Sequence, residues 1–218
     1  CLTIDEPEEK KKIFLNAPPG SPVLDIRENF QCAMLFVDYP QGIRIRALDS
    51  TNPVYYSEKN TELLRNMEEE KNYFNTLKKS GAVFQGTGET EWYLPSIRLY
   101  KILEDLEDEG WLLEVKGKWL QTRASIRFNV AVDKKCIRVS GYIESAKKKA
   151  GLENVMDSLK KNLNYCDVDG ETLCLIPRES ITDLKALLER GERVGGNILF
   201  KETEFHVVSR FVSRNQTA

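Results

Sequence analysis

Histidine is nearly missing from this chain: His206 is the single one among 218 residues. Any Ser–His–Asp or Cys–His catalytic arrangement would have to run through it, and its neighbours Phe205 and Val207 supply no supporting motif. One histidine and scattered cysteines also give no basis for a transition-metal site. No apolar run approaches the roughly 18 residues that cross a bilayer, so a membrane is not an expected partner. Neither sign of charge is in excess. With 34 acids, 32 bases and a net charge of -2, a generally basic protein that coats nucleic acid is excluded, while a local basic patch is not. The five cysteines (Cys1, Cys32, Cys136, Cys166, Cys174) are odd in number and contain no C-x-x-C pair, which argues against a disulfide framework and a zinc ribbon. The expectation is buried free thiols in a reducing cytoplasm. Around Asp169-Gly170, a two-residue hairpin loop would set Cys166 opposite Leu173 and Cys174 opposite Tyr165, with the sulfurs on opposite faces.

Nucleotide chemistry is absent too. A phosphate-cradling loop needs glycines for close backbone approach and a lysine opening a helix. Gly117-Lys118 is followed by Trp119, and Leu112 stands where the motif needs its first glycine. Gly86-Thr87-Gly88-Glu89 lacks a third glycine. Asp108-Glu109-Gly110 superficially matches the acidic magnesium box of motor ATPases, but the residues before it, 103–107, read as a charged helix and not as an apolar strand. No cofactor is therefore expected in this chain.

What is there is a globular composition, 41% hydrophobic and 30% charged. Residues 1–30 read as an irregular lead-in, with a mixed charge run at 8–12 and Pro18, Pro19 and Pro22 breaking regular elements. The opening at Cys1, on a charged segment and not a signal peptide, suggests a piece of something longer. Residues 31–120 read as a first α+β subdomain. Strands are expected at 33–39 and 43–48, then a helix over 60–79 on Leu63, Leu64, Met67, Phe74 and Leu77, stopped by Gly81. Short strands at 83–84 and 92–94 flank a glycine loop. Ser96 is placed to cap a helix through Asp108 with Ile97, Tyr100, Leu103 and Leu106 inside, followed by a strand at 111–115. Residues 116–123 look like a weak boundary.

Residues 121–218 read as a second α+β subdomain. Ile126, Phe128, Val130 and Val132 alternate, 133–135 turn the chain, and Ile137, Val139 and Ile143 return. A helix follows on Leu152, Val155, Met156 and Leu159, then the Asp169-Gly170 hairpin. A Pro177-led helix carries Ile181, Leu184, Leu187 and Leu188. The chain ends with an extended stretch at 198–200 and a helix over 202–214 on Phe205, Val208 and Val212. The fold class expected is α+β: antiparallel strands and hairpins covered by helices.

The basic residues fall in small groups: Arg44 and Arg46; Lys116, Lys118 and Arg123 around Trp119; Lys134, Lys135 and Arg138; Lys147, Lys148 and Lys149. Arg44 and Arg46 share one face of a strand. Converged, these groups would make a phosphate-tracking stripe with an aromatic platform. Dispersed, they are solubilising surface and edge protection.

From about residue 34 onward the order of elements resembles the helicase-associated region that precedes the motor in bacterial Swi/Snf-type ATPases. The resemblance rests on strand 43–48, the Glu-rich helix 62–79 with Lys79-Ser80-Gly81-Ala82-Val83-Phe84, and the run Leu99 to Val115 with its Gly110-Trp111 junction. It rests most on Leu159 to Gly170, with Tyr165 and Asp169-Gly170, followed by Leu175-Ile176-Pro177. None of these motifs is catalytic. Where the family has an aromatic-acidic strand, close to Asp-Trp-Phe, this chain has Cys136-Ile137-Arg138-Val139. The resemblance implies an accessory module of a DNA translocase, partnered by the ATPase motor of the same polypeptide and weakly, if at all, by duplex DNA. ATP and magnesium would belong to the motor. The other reading is a protein-interaction domain unrelated to DNA, working through an exposed sheet edge or apolar patch.

Overall fold

The structure, a computed structural model, describes residues 13–16, 20–47, 54–56, 61–86, 91–133, 136–146 and 148–215. The elements in chain order begin with β1 (Ile13–Asn16), β2 (Ser21–Ile26), β3 (Cys32–Tyr39), β4 (Ile43–Arg46), β5 (Val54–Tyr56) and β6 (Thr61–Leu64). Next come α1 (Met67–Ser80), β7 (Val83–Phe84), β8 (Trp92–Tyr93), α2 (Leu99–Asp108), β9 (Leu112–Val115) and β10 (Lys118–Gln121). The second half holds β11 (Ser125–Asp133), β12 (Cys136–Ser145), β13 (Lys148–Gly151), α3 (Leu152–Lys160), β14 (Tyr165–Asp167) and β15 (Thr172–Leu175). It closes with α4 (Arg178–Arg190), β16 (Glu192–Val194), β17 (Asn197–Lys201) and α5 (Phe205–Asn215). The fold is α+β with mostly antiparallel pairing. A large sheet runs β14-β15-β10-β9-β2-β3-β8-β7 with β4 also on β3. A second runs β11-β12-β17-β16 with β13 also on β12, and β1, β6 and β5 form a small third sheet. Parallel pairs occur at β1–β6, β2–β9 and β10–β15.

Residues 20–30 are not irregular. β2 is central, antiparallel to β3 and parallel to β9, and Leu24, Ile26 and Phe30 are buried in the first core. Pro22 is tolerated because the β9 ladder starts one residue later, at Val23, so its missing N–H interrupts no pairing on that side. The first helix starts at Met67, not near 60. Thr61–Leu64 is a strand along β1, and Leu64 and Met67 are exposed; Asn60 and Leu48 lie outside the described residues. The start is set by Asn66, whose side chain accepts the Glu69 N–H at 3.2 Å, and by three glutamates placed against the positive end of the helix. Gly81, at φ +107, ends it. Helix α2 begins at Leu99 with no side-chain cap, so Ser96 is not its cap, and Ile97 is 76% exposed.

Most of the stretch 116–123 is hairpin, and the chain leaves the large sheet after Gln121 to enter the second at Ser125. Lys116 and Gly117 both have positive φ, +54 and +74, and form the tight turn of the β9–β10 hairpin, whose second strand lies inside the large sheet. Lys148 and Lys149 begin a strand on β12 that runs through Gly151 directly into α3. In α5, Phe205 is exposed and Val208 and Phe211 are buried; the Val212 side chain lies outside the described ones.

Two clusters of buried side chains fill the protein, and β14–β15 belongs to both. Tyr165, Leu173 and Leu175 face the first cluster, with α2 and Trp92, while Cys166, Cys174 and Ile176 face the second, with α3 and α4. Alternation in a strand buried on both sides allows this. The hairpin closes through Val168 N–H to Thr172 O at 2.9 Å, so its loop is Asp169–Glu171, one residue longer than the two-residue loop expected from Asp169-Gly170. That shift sets Cys166 directly opposite Cys174 on one face, not on opposite faces. Gly170 has φ +88, the left-handed conformation such loops require.

Candidate interaction surfaces

The first core lies on one face of the large sheet and, at the β14–β15 end, the second core covers the other face. What remains of that other face, across β4, β3, β2, β9 and β10, is set by strand alternation around Val23, which is fully buried. It presents Arg44, Arg46, Phe36, Met34, Asp38, Asp25, Glu114, Leu112 and Trp119. Leu112 and Trp119 are 38% and 43% exposed. Arg44 spans the face. It donates to Asp38 at 2.6 and 2.9 Å and to Glu114 at 2.8 Å, and its guanidinium lies 6.0 Å from the Phe36 ring centroid. These hydrogen bonds, Asp38 first, raise its already high pKa further. Asp25 is pushed upward by burial and by the neighbouring Glu114. Arg46 pairs with Glu91, whose side chain is fully buried and accepts the Leu35 N–H at 3.3 Å.

Arg44, Arg46 and Trp119 thus share one surface, and Lys116, Lys118, Arg123, Arg138, Lys148 and Lys149 do not join it. Lys116 and Lys118 line a cleft of about 480 Å³ and pair with Glu28 and Asp167, respectively. Lys118 holds the Asp167 carboxyl below its ordinary pKa. Arg123 pairs with Asp108 and lines a different cleft of about 560 Å³, with Tyr100, Glu104 and Arg178. Lys148 donates to Thr172 and pairs with Asp169 at 2.5 Å. Lys149 pairs with Glu144 at 3.1 Å and stands 4.5 Å from the Tyr142 ring centroid. Arg138 is exposed on β12. Lys134, Lys135 and Lys147 lie outside the described residues.

The chemical consequence is direct. Arg44, Arg46, Lys116, Lys118, Arg123, Lys148 and Lys149 each already have a carboxylate partner within the fold. Phosphate affinity comes from release of condensed counterions by uncompensated cations, and a cation held by an internal carboxylate contributes little of it. These acids were the part missing from the sequence reading. Asp38, Glu114, Glu144 and Asp167 stand in strands, whereas Glu28, Glu91, Asp108 and Asp169 lie in turns, in loops or at a helix end, and no local pattern marks them as a set.

A second polar cluster is buried. Arg65 and Glu70 pair with almost no exposure, Tyr39 donates to Glu70 at 2.5 Å, and Arg65 donates to the Arg46 and Ala47 carbonyls at 3.1 and 3.2 Å. Burial is the largest cause raising the Tyr39 pKa. The cluster ties α1 to the end of β3 and to β4. Among the described residues no group of three or more histidines, cysteines, aspartates or glutamates is placed to hold a metal ion. No family model, curated protein or solved structure matches the chain at a significant level.

Proposed function

We propose that this chain is an accessory module of a bacterial Swi/Snf-type DNA translocase that works by docking on protein, above all on the ATPase motor of its own polypeptide, and touches duplex DNA only weakly. The family half of the reading rests on the motifs at Leu99–Val115 and Leu159–Pro177. The docking half rests on one observation: Arg44, Arg46, Lys116, Lys118, Arg123, Lys148 and Lys149 are paired internally, and the Arg44 and Arg46 pairs share a face with half-buried Phe36 and Met34 and exposed Leu112 and Trp119. An apolar centre among satisfied charges is what protein interfaces use.

The test is a pair of titrations, one with the motor segment added in trans and one with a short duplex followed by fluorescence anisotropy over a salt series. Duplex binding is expected at dissociation constants of about 10⁻⁵ M or weaker at physiological salt. The motor is expected to bind at least about tenfold more tightly, and Trp119→Ala together with Leu112→Ala to weaken it. Submicromolar duplex binding at physiological salt would sink the docking reading. No binding to the motor would sink the translocase assignment and leave a protein-interaction domain unrelated to DNA.

A further inference from the structure

Among the described residues, strand β11 is the one long free edge. It runs nine residues and pairs with β12 one to one from Ser125–Glu144 to Asp133–Cys136, with no bulge. No strand lies on its other side among the described residues. Every other described strand with an open edge is short: β1, β4 and β13 have four residues, β5, β14 and β16 three, and β7 two. Short edges discourage pairing, as do lysines, prolines and bulges. β11 has none of these. On its core-facing side only the first half is covered: Ile126 and Phe128 are buried, Phe128 against Phe211 with ring centroids 4.7 Å apart. Val130 and Val132 on the same side are 37% and 61% exposed, although Val139 and Ile137, their partners on β12, are fully buried.

We infer that β11 pairs antiparallel with β11 of a second copy of this chain, joining two five-stranded sheets across a two-fold axis at Val130. The strand's own pattern selects this occupant and this register. An antiparallel pair keeps matching faces together only when the axis passes through a residue, because side chains alternate with period two. With the axis at Val130, Val130 meets Val130, Phe128 meets Val132 twice, and Arg127 meets Asp133 twice. With the axis at Asn129, Arg127 meets Ala131 and Asp133 meets Ser125, and both charge pairs are lost. Arg127 retains 57% side-chain exposure beside Glu144, so it can reach a facing carboxylate. The pairing covers the two exposed valines and satisfies the open backbone edge. It does not depend on the translocase reading.

The experiment is sedimentation equilibrium of the whole chain across micromolar to submillimolar concentrations. A reversible monomer–dimer equilibrium is expected. Val132→Lys, placing a charge at the edge, is expected to weaken the dimer by at least about tenfold. Its thermal midpoint, measured on the monomer, should stay close to the parent's, because Val132 is largely exposed. Arg127→Asp and Asp133→Arg singly should each weaken association, and the two together should restore it. A chain monomeric throughout, a V132K dimer as tight as the parent, or a double reversal that fails to restore association overturns the proposal.

Discussion

Arg65 and Glu70 sit with side chains 0% and 2% exposed, and the arrangement survives because nearly every polar atom around them has a partner. Removing one member leaves the other charged and buried. Arg65→Ala is therefore expected to destabilise the protein by about 3–5 kcal/mol, whereas an Arg65→Met, Glu70→Leu double variant should recover most of that loss. Urea unfolding of the three proteins checks this, and a single variant as stable as the parent would contradict it. The cysteines divide by the same logic. Burial pushes the Cys166 thiol up to about 12 and the Cys174 thiol up to about 11, while Cys32 and Cys136 are half-buried. At mildly alkaline pH iodoacetamide should label Cys32 and Cys136 well before Cys166 and Cys174, since the thiolate is the reactive form. Peptide mass spectrometry over a time course reads the order; early labelling of Cys166 would show that the hairpin is not packed between the cores.

Hairpin β14–β15 carries its own electrostatic lock. Asp169 accepts from the Glu171 and Thr172 N–H groups at 3.2 and 2.8 Å and pairs with Lys148 at 2.5 Å. The Lys148 contact first, then these N–H groups, hold its carboxyl at about 2. Asp167 is lowered in the same direction by Lys118. A carboxylate depressed in the folded state contributes stability that is complete above its unfolded value and lost as pH falls through its folded one. The hairpin should therefore weaken between about pH 4 and about pH 2. Asp169→Asn should flatten part of that fall, read as urea midpoints at several pH values; equal pH dependence in both proteins would remove Asp169 from the account. The β9–β10 turn is a backbone counterpart. Gly117→Val puts a β-branched side chain at φ +74 and should destabilise by about 1–3 kcal/mol, measured in the same assay.

Across the whole molecule the two clusters share one hairpin, so neither half carries a complete core. A cut at 120/121 removes Tyr165, Leu173 and Leu175 from the first cluster and separates β10 from β15. The expected behaviour is a single calorimetric transition for the intact chain, with fragments 1–120 and 121–218 each lacking dispersed amide resonances when alone. Two resolved transitions, or a well-dispersed spectrum from either fragment, would show the halves to be independent. Pairing across the large sheet also explains why the candidate basic groups did not gather. β4, β10 and β12 belong to different sheets or different places in one sheet, and Arg44 and Lys118 each settled on a carboxylate from a strand distant in sequence.

Periodic apolar patterns and strong stops were legible from the residues alone. The α+β class, α2 and its Gly110 end, α3 on Leu152, Val155, Met156 and Leu159, the Pro177-led helix and the β11–β12 hairpin follow from side-chain period and turn chemistry, which are local. Short central strands were not legible. β2 carries a proline and β10 follows a Lys-Gly turn, and both are strands because neighbours distant in sequence complete their ladders. The one-residue difference in the β14–β15 loop placed Cys166 and Cys174 on one face, since a strand buried on both sides takes its register from both cores at once. Ion pairing lay furthest from reach. The positions of Arg44 and Lys118 can be read in the chain, but Arg44 finds Glu114 and Lys118 finds Asp167 only after the strands between them have assembled. Charge is a property of residues, and its neutralisation is a property of distances that tertiary packing alone sets.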